Sequence, residues 1–313
     1  MIKLKNEKNF LIPEQVLIEP VNGMCTSRCI MCSYPTWTRK PNILKMDDYT
    51  KILASLKPYQ EGIKMLTLFG VGEPLLDKEI VEKVALAKKE GFKGLGFASN
   101  CTELTEDVSR GLIKSGLNTL IASIDGIKKE THEKIRVETN FDTVVKNVEN
   151  YIKIRNELKA TNSRILVRFV RQEANRAEWP EYHKHWSKII DKKYGDRVIK
   201  VDVHNWGNNV NSYSSKDVNK EINIHDFICP EIFNKLLIRT KGEISLCDAD
   251  DNIFFDLGNA LTEDPIKAWN KGKFAEYRKA MKEGRISELE HCKDCSIPRS
   301  LILKLDQEEE CCY

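Results

Sequence analysis

The chain has 313 residues, of which 41% are hydrophobic and 31% charged, so it can form one large domain with a smaller extension. Its 50 basic and 47 acidic residues leave a net charge of +3, which argues against nucleic-acid binding, because nucleic-acid-binding proteins usually carry a basic excess or stripe. The N-terminus is too polar for a signal peptide, and no apolar stretch is long enough to span a membrane. We therefore expect a cytoplasmic protein that binds neither nucleic acid nor membrane.

In chain order, short apolar runs alternate with amphipathic helical patterns. Strands are predicted over residues 15–19, 65–69, 94–98, 119–124, 165–170 and 198–206. Helices are predicted over residues 46–56 (with Asp47 as N-cap), 77–91, 104–116 (with Thr105 as N-cap), 141–155 and 178–192. This alternation indicates an α/β fold with a parallel sheet, because parallel neighbours need a crossover that a helix supplies. Six units are fewer than those of a closed barrel, so periodicity alone leaves an open partial barrel and a doubly wound sheet as alternatives.

The composition changes after the sixth predicted strand. Residues 208–217 are rich in Asn and Ser, which indicates a linker, and we place a domain boundary near residue 210. The predicted domains are residues 1–210 and 211–313. In the second domain, KLLIRT and EISLC predict a hairpin that turns at Lys241-Gly242, and residues 265–284 predict a helix in two pieces divided at Gly272.

Three of the ten cysteines lie together in the loop after the first predicted strand. Cys25, Cys29 and Cys32 have C-x3-C-x2-C spacing, and no further His or Cys follows before Cys101. Thiolates select soft metals: zinc, copper(I) or iron–sulfur clusters. Zinc sites usually pair two cysteines with a second pair elsewhere, whereas a four-iron cluster on three thiolates leaves one iron open to a small molecule.

This loop and three later motifs resemble the radical S-adenosylmethionine (radical SAM) superfamily. GVGEP (70–74) resembles the family's GGEP motif, and ASNCTEL (98–104) resembles its third-strand loop. IASIDG...KIRV (121–137) resembles its fourth-strand pattern. The resemblance implies a set of candidate SAM-binding residues: Met31, Gly70, Gly72, Glu73, Asn100, Ser123 and Arg136. Two further candidates, Asn205 and Trp206, end the sixth predicted strand.

The resemblance carries expectations about fold and chemistry. It implies a partial (β/α)6 TIM-like barrel, with a [4Fe-4S] cluster whose open iron binds SAM. Reductive cleavage of SAM gives a 5'-deoxyadenosyl radical that removes a hydrogen atom from a small-molecule substrate. A flavodoxin or ferredoxin-type protein is the expected electron donor. In the fourth-strand pattern, Ser123 lies near the SAM ribose, and Arg136 pairs with the SAM carboxylate through its planar fork.

A second set of cysteines lies near the C-terminus. Cys229 and Cys247 are separated by 18 positions, and Cys292 and Cys295 form a C-x2-C pair. With LGNALTEDPIKAWN (257–270) between them, they resemble the auxiliary-cluster extensions called SPASM and twitch domains. Leu301 lies where the full SPASM pattern has a cysteine, so the twitch form, with a second [4Fe-4S] cluster on these four cysteines, fits better. Spacing alone does not separate this cluster from a structural zinc ion.

A cluster with four protein ligands suits electron transfer, and a nearby one can accept the electron left after hydrogen-atom and proton removal. The layout resembles twitch-type dehydrogenases of aminocyclitol biosynthesis, which predicts oxidation of a secondary alcohol in a small sugar-like or cyclitol-like substrate. Modification of a ribosomally made peptide and redox-neutral epimerisation or dehydration are the alternatives. Candidate substrate-contacting residues at strand ends are Glu19, Arg168, Arg171 and His204. Cys311 and Cys312 are interpreted as uninvolved.

Overall fold

The computed structural model describes residues 10–207 and 228–297. The predicted linker, the boundary near residue 210, Cys311 and Cys312 lie outside the described residues. The strands are β1 (Gln15–Ile18), β2 (Val21–Asn22), β3 (Arg28–Cys29), β4 (Asn42–Ile43), β5 (Met65–Thr67), β6 (Leu95–Ser99), β7 (Thr119–Ser123), β8 (Arg136–Val137), β9 (Arg164–Arg171), β10 (Arg197–Asp202), β11 (Lys235–Ile238) and β12 (Ile244–Ser245). The α-helices are α1 (Met46–Leu56), α2 (Ile80–Lys89), α3 (Glu106–Ser115), α4 (Lys129–Ile135), α5 (Phe141–Glu157), α6 (Trp179–Ile189), α7 (Glu231–Asn234), α8 (Pro265–Trp269) and α9 (Gly272–Lys282).

The main sheet has eight strands in the order β10-β9-β7-β6-β5-β1-β11-β12, and all neighbours are parallel except β11 and β12. From β1 to β10 the order follows the chain in one direction. A doubly wound sheet reverses its strand order at a switch point, and this sheet does not. The structure therefore confirms the partial barrel and excludes the doubly wound alternative.

The C-terminal part of the chain is built onto one edge of this barrel. Strand β11 pairs in parallel with β1, with Gln15 opposite Lys235 and Ile18 opposite Ile238. It then turns back into β12, and Gly242 in the turn has a φ of +84°, a conformation that favours glycine. The predicted hairpin is confirmed, but its attachment to the main sheet was not predicted. The second cysteine set is thereby fixed against the strand that delivers the first.

The two N-caps that the sequence predicts have different outcomes in the structure. Thr105 caps α3 as predicted, accepting a hydrogen bond from the Val108 amide at 3.3 Å, and Gly116 ends it in the left-handed conformation. The predicted N-cap Asp47 is wrong, because α1 begins at Met46 after Lys45. Asp47 instead lies in the first turn, where a negative charge interacts favourably with the helix dipole.

The two faces of the strands have different neighbours. On β9, Phe169 packs on Trp179 and Tyr182 of the outer helix layer, with ring centroids 5.6 Å and 4.7 Å away. Because side chains alternate along a strand, Arg168 points to the barrel interior, where it meets Ser123 of β7. On β6 the inward positions are the small Gly96 and Ala98, on either side of the buried Phe97. The glycine at position 96 lets the backbone of β7 approach closely at Thr119, where a side chain would lie 2.8 Å from the Thr119 carbonyl oxygen.

Glu19, directly after β1, joins the barrel to the C-terminal hairpin. Its fully buried carboxylate forms two hydrogen bonds with Arg39, at 2.7 Å and 2.8 Å, and pairs with Arg239 at 3.4 Å. It also accepts bonds from the amides of Val71 and Thr240, both at 3.3 Å. Burial raises the pKa of Glu19, but the two arginines outweigh burial, so the pKa lies below its ordinary value.

We predict that Glu19→Gln lowers the free energy of unfolding by about 3–5 kcal/mol, because it leaves two arginines without their buried counter-charge. The matched control is Glu14→Gln at the other end of β1, whose partner Lys64 is largely exposed. Breaking that surface pair costs about 1 kcal/mol or less. Urea denaturation of both variants under anaerobic conditions measures the difference. Equal losses would show that the buried network does not join the two parts of the molecule.

Candidate active site

The three-cysteine loop is held by a short strand pair that the sequence did not reveal. Strand β3 pairs with β8 in antiparallel register, which places Cys29 opposite Arg136. The Ile30 amide extends this pairing by donating to the Ile135 carbonyl at 3.0 Å, and the Cys32 amide donates to the Cys29 carbonyl at 3.1 Å. The loop is thereby folded against the end of α4, and Arg136 lies beside Cys29, while its contact with the SAM carboxylate stays a prediction.

Polar groups point at two of the three sulfurs. The Asn100 side-chain amide lies 3.6 Å from Cys25 Sγ, and Arg136 Nη1 lies 3.6 Å from Cys29 Sγ. The Ser27 hydroxyl is 3.0 Å from Cys29 Sγ. Burial raises the pKa of Cys25 to about 11 and that of Cys32 to about 12. These thiols therefore need a bound cation to become thiolates at neutral pH.

The GVGEP loop packs against the segment that leads to Cys25. A side chain on Gly72 would meet the Val21 carbonyl oxygen at 2.5 Å, so only glycine fits there. The buried Glu73 carboxylate accepts hydrogen bonds from Ser99 Oγ at 2.7 Å and from the Asn100 amide at 2.9 Å. Burial raises the pKa of Glu73. Gly72, Glu73 and Asn100 thus meet beside Cys25, whereas Gly70 lies against the Glu19 side chain. The contacts of all four with SAM stay predictions.

Behind the cysteines, the fourth-strand motif forms a buried polar group. The Ser123 hydroxyl accepts a hydrogen bond from Arg168 Nη2 at 2.7 Å. Arg136 Nη2 pairs with Asp125 Oδ2 at 2.7 Å, and the Asp125 amide donates to His132 Nδ1 at 3.2 Å. Neither Asp125 nor His132 was among the predicted site residues. Sequence spacing could have indicated Asp125 but not His132. Asp125 follows Ser123 by two positions, so the two side chains point to the same face.

His132 is fully buried beneath this pair. Burial and the neighbouring Arg136 charge lower the pKa of His132 to about 3, from an ordinary value near 6.5. The imidazole is therefore neutral at physiological pH, and Nδ1 is the acceptor for the Asp125 amide.

We predict that His132 makes stability fall with decreasing pH. The unfolded chain takes up the His132 proton below about pH 6.5 and the folded chain does not until about pH 3, so stability is lost between these values, by up to about 1.4 kcal/mol per pH unit. His132→Asn keeps an acceptor for the Asp125 amide without a titratable ring. Urea unfolding at pH 7.5 and 5.5 should show a smaller loss in this variant than in the wild type. Identical losses contradict the assignment.

The end of the sixth strand links the two cysteine sets. Trp206 Nε1 donates to the Met31 carbonyl at 2.8 Å, and the Met31 side chain packs with Ile135 and Val203 beside Cys29. Asn205 instead exchanges hydrogen bonds with Ser296, both at 2.8 Å. Its side chain thus holds the segment next to Cys295, and its predicted contact with SAM has no support from this position.

Two of the four predicted substrate residues lie away from the interior. Glu19 is buried and saturated by arginines, so it cannot act as a free proton acceptor. Arg171 lies on the helix-facing side of β9, like Phe169, and its Nε donates to Asp202 at 2.7 Å. Arg168 is on the inward side. His204 follows β10, with its ring 4.4 Å from that of Trp206 and its Nδ1 accepting from the Trp206 amide at 3.2 Å.

The second cysteine set is gathered in one buried region. Cys229 precedes α7, Cys247 follows β12, and the Cys295 amide donates to the Cys292 carbonyl at 3.1 Å. Burial raises the pKa of Cys229 and of Cys247, and it raises that of Cys292 to about 12. Neighbouring thiols of this set raise the pKa of each of the three further, so the sulfurs lie within electrostatic reach of one another.

The spread of these sulfurs bears on the kind of metal. Among residues 10–207 and 228–297, no three His, Cys, Asp or Glu side chains converge closely enough to hold one metal ion. A zinc ion needs its thiolates within about 2.3 Å of a single point. In an iron–sulfur cluster each thiolate binds a different iron, so the two kinds of site need different arrangements of the sulfurs. Both cysteine sets have the all-thiolate chemistry that such clusters use.

The loop after Cys32 is fastened to the loop after Cys247. The Ser33 hydroxyl donates to the Asp251 carboxylate, and Arg39 Nε donates to the Asp251 carbonyl at 2.6 Å. Asn252 adds hydrogen bonds with Thr36 and Thr38, both at 2.8 Å. Burial raises the pKa of Asp251 to about 6. The two cysteine sets are therefore connected through one contact surface.

Comparison with protein families agrees with this geometry. Residues 20–168 match the model of the radical SAM superfamily, and residues 229–296 match the iron–sulfur cluster-binding domain SPASM. The chain therefore contains a radical SAM domain followed by a SPASM domain. The first implies a [4Fe-4S] cluster and SAM, and the second implies additional iron–sulfur clusters. In the part of the chain that the structure describes, no helix is long and apolar enough to cross a membrane.

Curated relatives have different activities. The chain is 25% identical over 165 residues, 53% of its length, to the tungsten-containing aldehyde ferredoxin oxidoreductase cofactor-modifying protein of Pyrococcus furiosus, covering 46% of that protein. It is 26% identical over 185 residues, 58% of its length, to the GTP 3',8-cyclase of Mannheimia succiniciproducens, covering 51% of it. The chain thus spans about half the length of these relatives.

Solved structures share the fold over most of the chain. BtrN in complex with AdoMet and 2-DOIA aligns with a TM-score of 0.62 and 15% identity, over 91% of this chain and 93% of BtrN. Streptococcus suis SuiB bound to the precursor peptide SuiA aligns with a TM-score of 0.67 and 15% identity, over 95% of this chain and 74% of SuiB. At this identity the likeness shows the fold alone.

Proposed function

We propose that the protein is a radical SAM dehydrogenase that oxidises a secondary alcohol of a small sugar-like or cyclitol-like substrate, similar to 2-deoxy-scyllo-inosamine dehydrogenase. The observation that carries the proposal is the second set of four cysteines, whose loop after Cys247 is fastened to the loop after Cys32 through Ser33 and Asp251. The net reaction removes a hydrogen atom, a proton and an electron from the carbinol group. The electron needs an acceptor close to the substrate site.

Each cysteine set has its own part in this proposal. Cys25, Cys29 and Cys32 are the proposed ligands of the SAM-binding cluster, and Cys229, Cys247, Cys292 and Cys295 those of one auxiliary cluster of the twitch type. When bound, these groups and SAM supply a 5'-deoxyadenosyl radical and an acceptor for one electron. A flavodoxin or ferredoxin-type protein is the proposed reductant of the first cluster.

The chain's own residues would bind the substrate inside the barrel. Ala98 presents a small side chain on the inward face of β6, and Arg168 presents a cationic hydrogen-bond donor two strands away, beside Ser123. His204 is the proposed proton acceptor, because it follows β10 at the same end of the barrel as the first cysteine set. The apolar residues Met31 and Val203 beside Cys29 exclude water from this end.

Peptide modification is the second candidate. Its support is the fold that the chain shares with SuiB, whose structure is bound to a precursor peptide. Redox-neutral epimerisation or dehydration needs no electron acceptor, so the auxiliary cysteines do not support it. Product analysis separates all three.

Anaerobic reconstitution should give about eight irons per chain, corresponding to two four-iron clusters. Cys229→Ala should retain about four, because the auxiliary cluster then loses a ligand. Cys101→Ala is the matched control, since Cys101 is also a buried cysteine but lies in the loop after β6 and outside both sets, and it should retain about eight. Four irons with one zinc in the wild type would rule out an auxiliary cluster on this set.

Incubation with SAM, a reductant and a panel of carbinol-deuterated cyclitols and amino sugars should transfer one deuterium to 5'-deoxyadenosine. The product should be a ketone with two hydrogens fewer than the substrate, detected by mass spectrometry. Cys229→Ala should still form 5'-deoxyadenosine but yield little ketone, because the last electron has no acceptor. A product isomeric with its substrate points to epimerisation, and turnover of peptides alone points to the second candidate.

A further inference from the structure

We propose that Arg136 raises the reduction potential of the SAM-binding cluster by donating a hydrogen bond to the Cys29 sulfur, and that Asp125 is the positioning residue that aims it. This inference rests on the proposed assignment of Cys29 as a cluster ligand. It concerns the electronic properties of the cluster, whatever the substrate is.

The contact between Arg136 and Cys29 is set by the backbone. Strand β3 pairs with β8 so that the two residues lie directly opposite each other, and Nη1 lies 3.6 Å from Sγ. The Arg136 side chain is only 7% exposed. A cationic N–H donor facing a sulfur in a water-poor environment interacts strongly, because little solvent screens the charge.

Asp125 holds the other end of the guanidinium group. Its Oδ2 pairs with Arg136 Nη2 at 2.7 Å, while its Oδ1 accepts the Val170 amide at 2.6 Å. Its own amide is fixed by His132 Nδ1, and the carboxylate is fully buried. Because the guanidinium is planar, fixing Nη2 on Asp125 also fixes the direction of Nη1 towards Cys29.

The direction of the effect follows from charge. Reduction adds an electron to a cluster that already carries thiolates, and a donor at a ligand sulfur stabilises the added negative charge. Asn100 acts in the same direction at Cys25, but as a neutral donor its effect is smaller. Loss of the positively charged Arg136 donor, which Asp125 directs at Cys29, therefore lowers the reduction potential and makes the cluster harder to reduce.

The test is EPR-monitored potentiometry of the reconstituted enzyme without SAM, following the cluster whose signal changes when SAM is added. Arg136→Gln should lower the one-electron reduction equilibrium about tenfold, which corresponds to about 59 mV. Asp125→Glu, which keeps the counter-charge but moves it, should produce a smaller shift in the same direction, and so should Arg136→Lys, which keeps the charge without the fork. Iron content and the absorption spectrum show that each variant is folded and loaded.

Asp196→Glu is the matched control. Asp196 is another fully buried aspartate paired with a buried arginine, Arg155, but it precedes β10 at the opposite end of the barrel. Its substitution should leave the potential unchanged. An unchanged potential in fully loaded Arg136→Gln overturns the inference. A shift in Arg136→Gln without a shift in Asp125→Glu overturns the positioning role of Asp125. Absence of any SAM-sensitive signal in the wild type overturns the proposed cluster as well.

Discussion

The structure depends on one buried carboxylate, that of Glu19. An unpaired charge at this depth would be costly, and Glu19 is tolerated because Arg39, Arg239 and two backbone amides surround it. These partners come from the loop after Cys32, the GVGEP loop and the C-terminal hairpin. A single satisfied charge network therefore fixes these three segments relative to one another.

The same network brings the two cysteine sets into contact. Arg239 also donates to the Cys247 carbonyl at 3.3 Å, so the counter-charge of Glu19 supports an auxiliary ligand directly. Asp251 and Ser33 make a second connection a few residues away. Because these groups are buried, their hydrogen bonds are strong, and their loss leaves unsatisfied polar atoms. The proposed electron transfer to a cluster on the second cysteine set would benefit from this rigidity.

Strand periodicity predicted which segments form the barrel, and motif spacing predicted which residues surround the first cysteines. Neither pattern predicted which face of β9 is occupied by Arg168 and which by Arg171. Arg168 and Arg171 differ by three positions and so lie on opposite faces, one beside Ser123 and one beside Asp202. Glu19 was misassigned for a related reason, since both of its arginines come from segments distant in sequence.

By itself the sequence determined the elements, the two cysteine sets and the order of the motifs, because these depend on short-range patterns of polarity and spacing. Only the tertiary structure decided that β11 joins β1, that β8 brings Arg136 opposite Cys29, and that Asp125 fixes its guanidinium. These pairings join residues tens to hundreds of positions apart. Their stability comes from burial and charge pairing that exist only once the chain has folded.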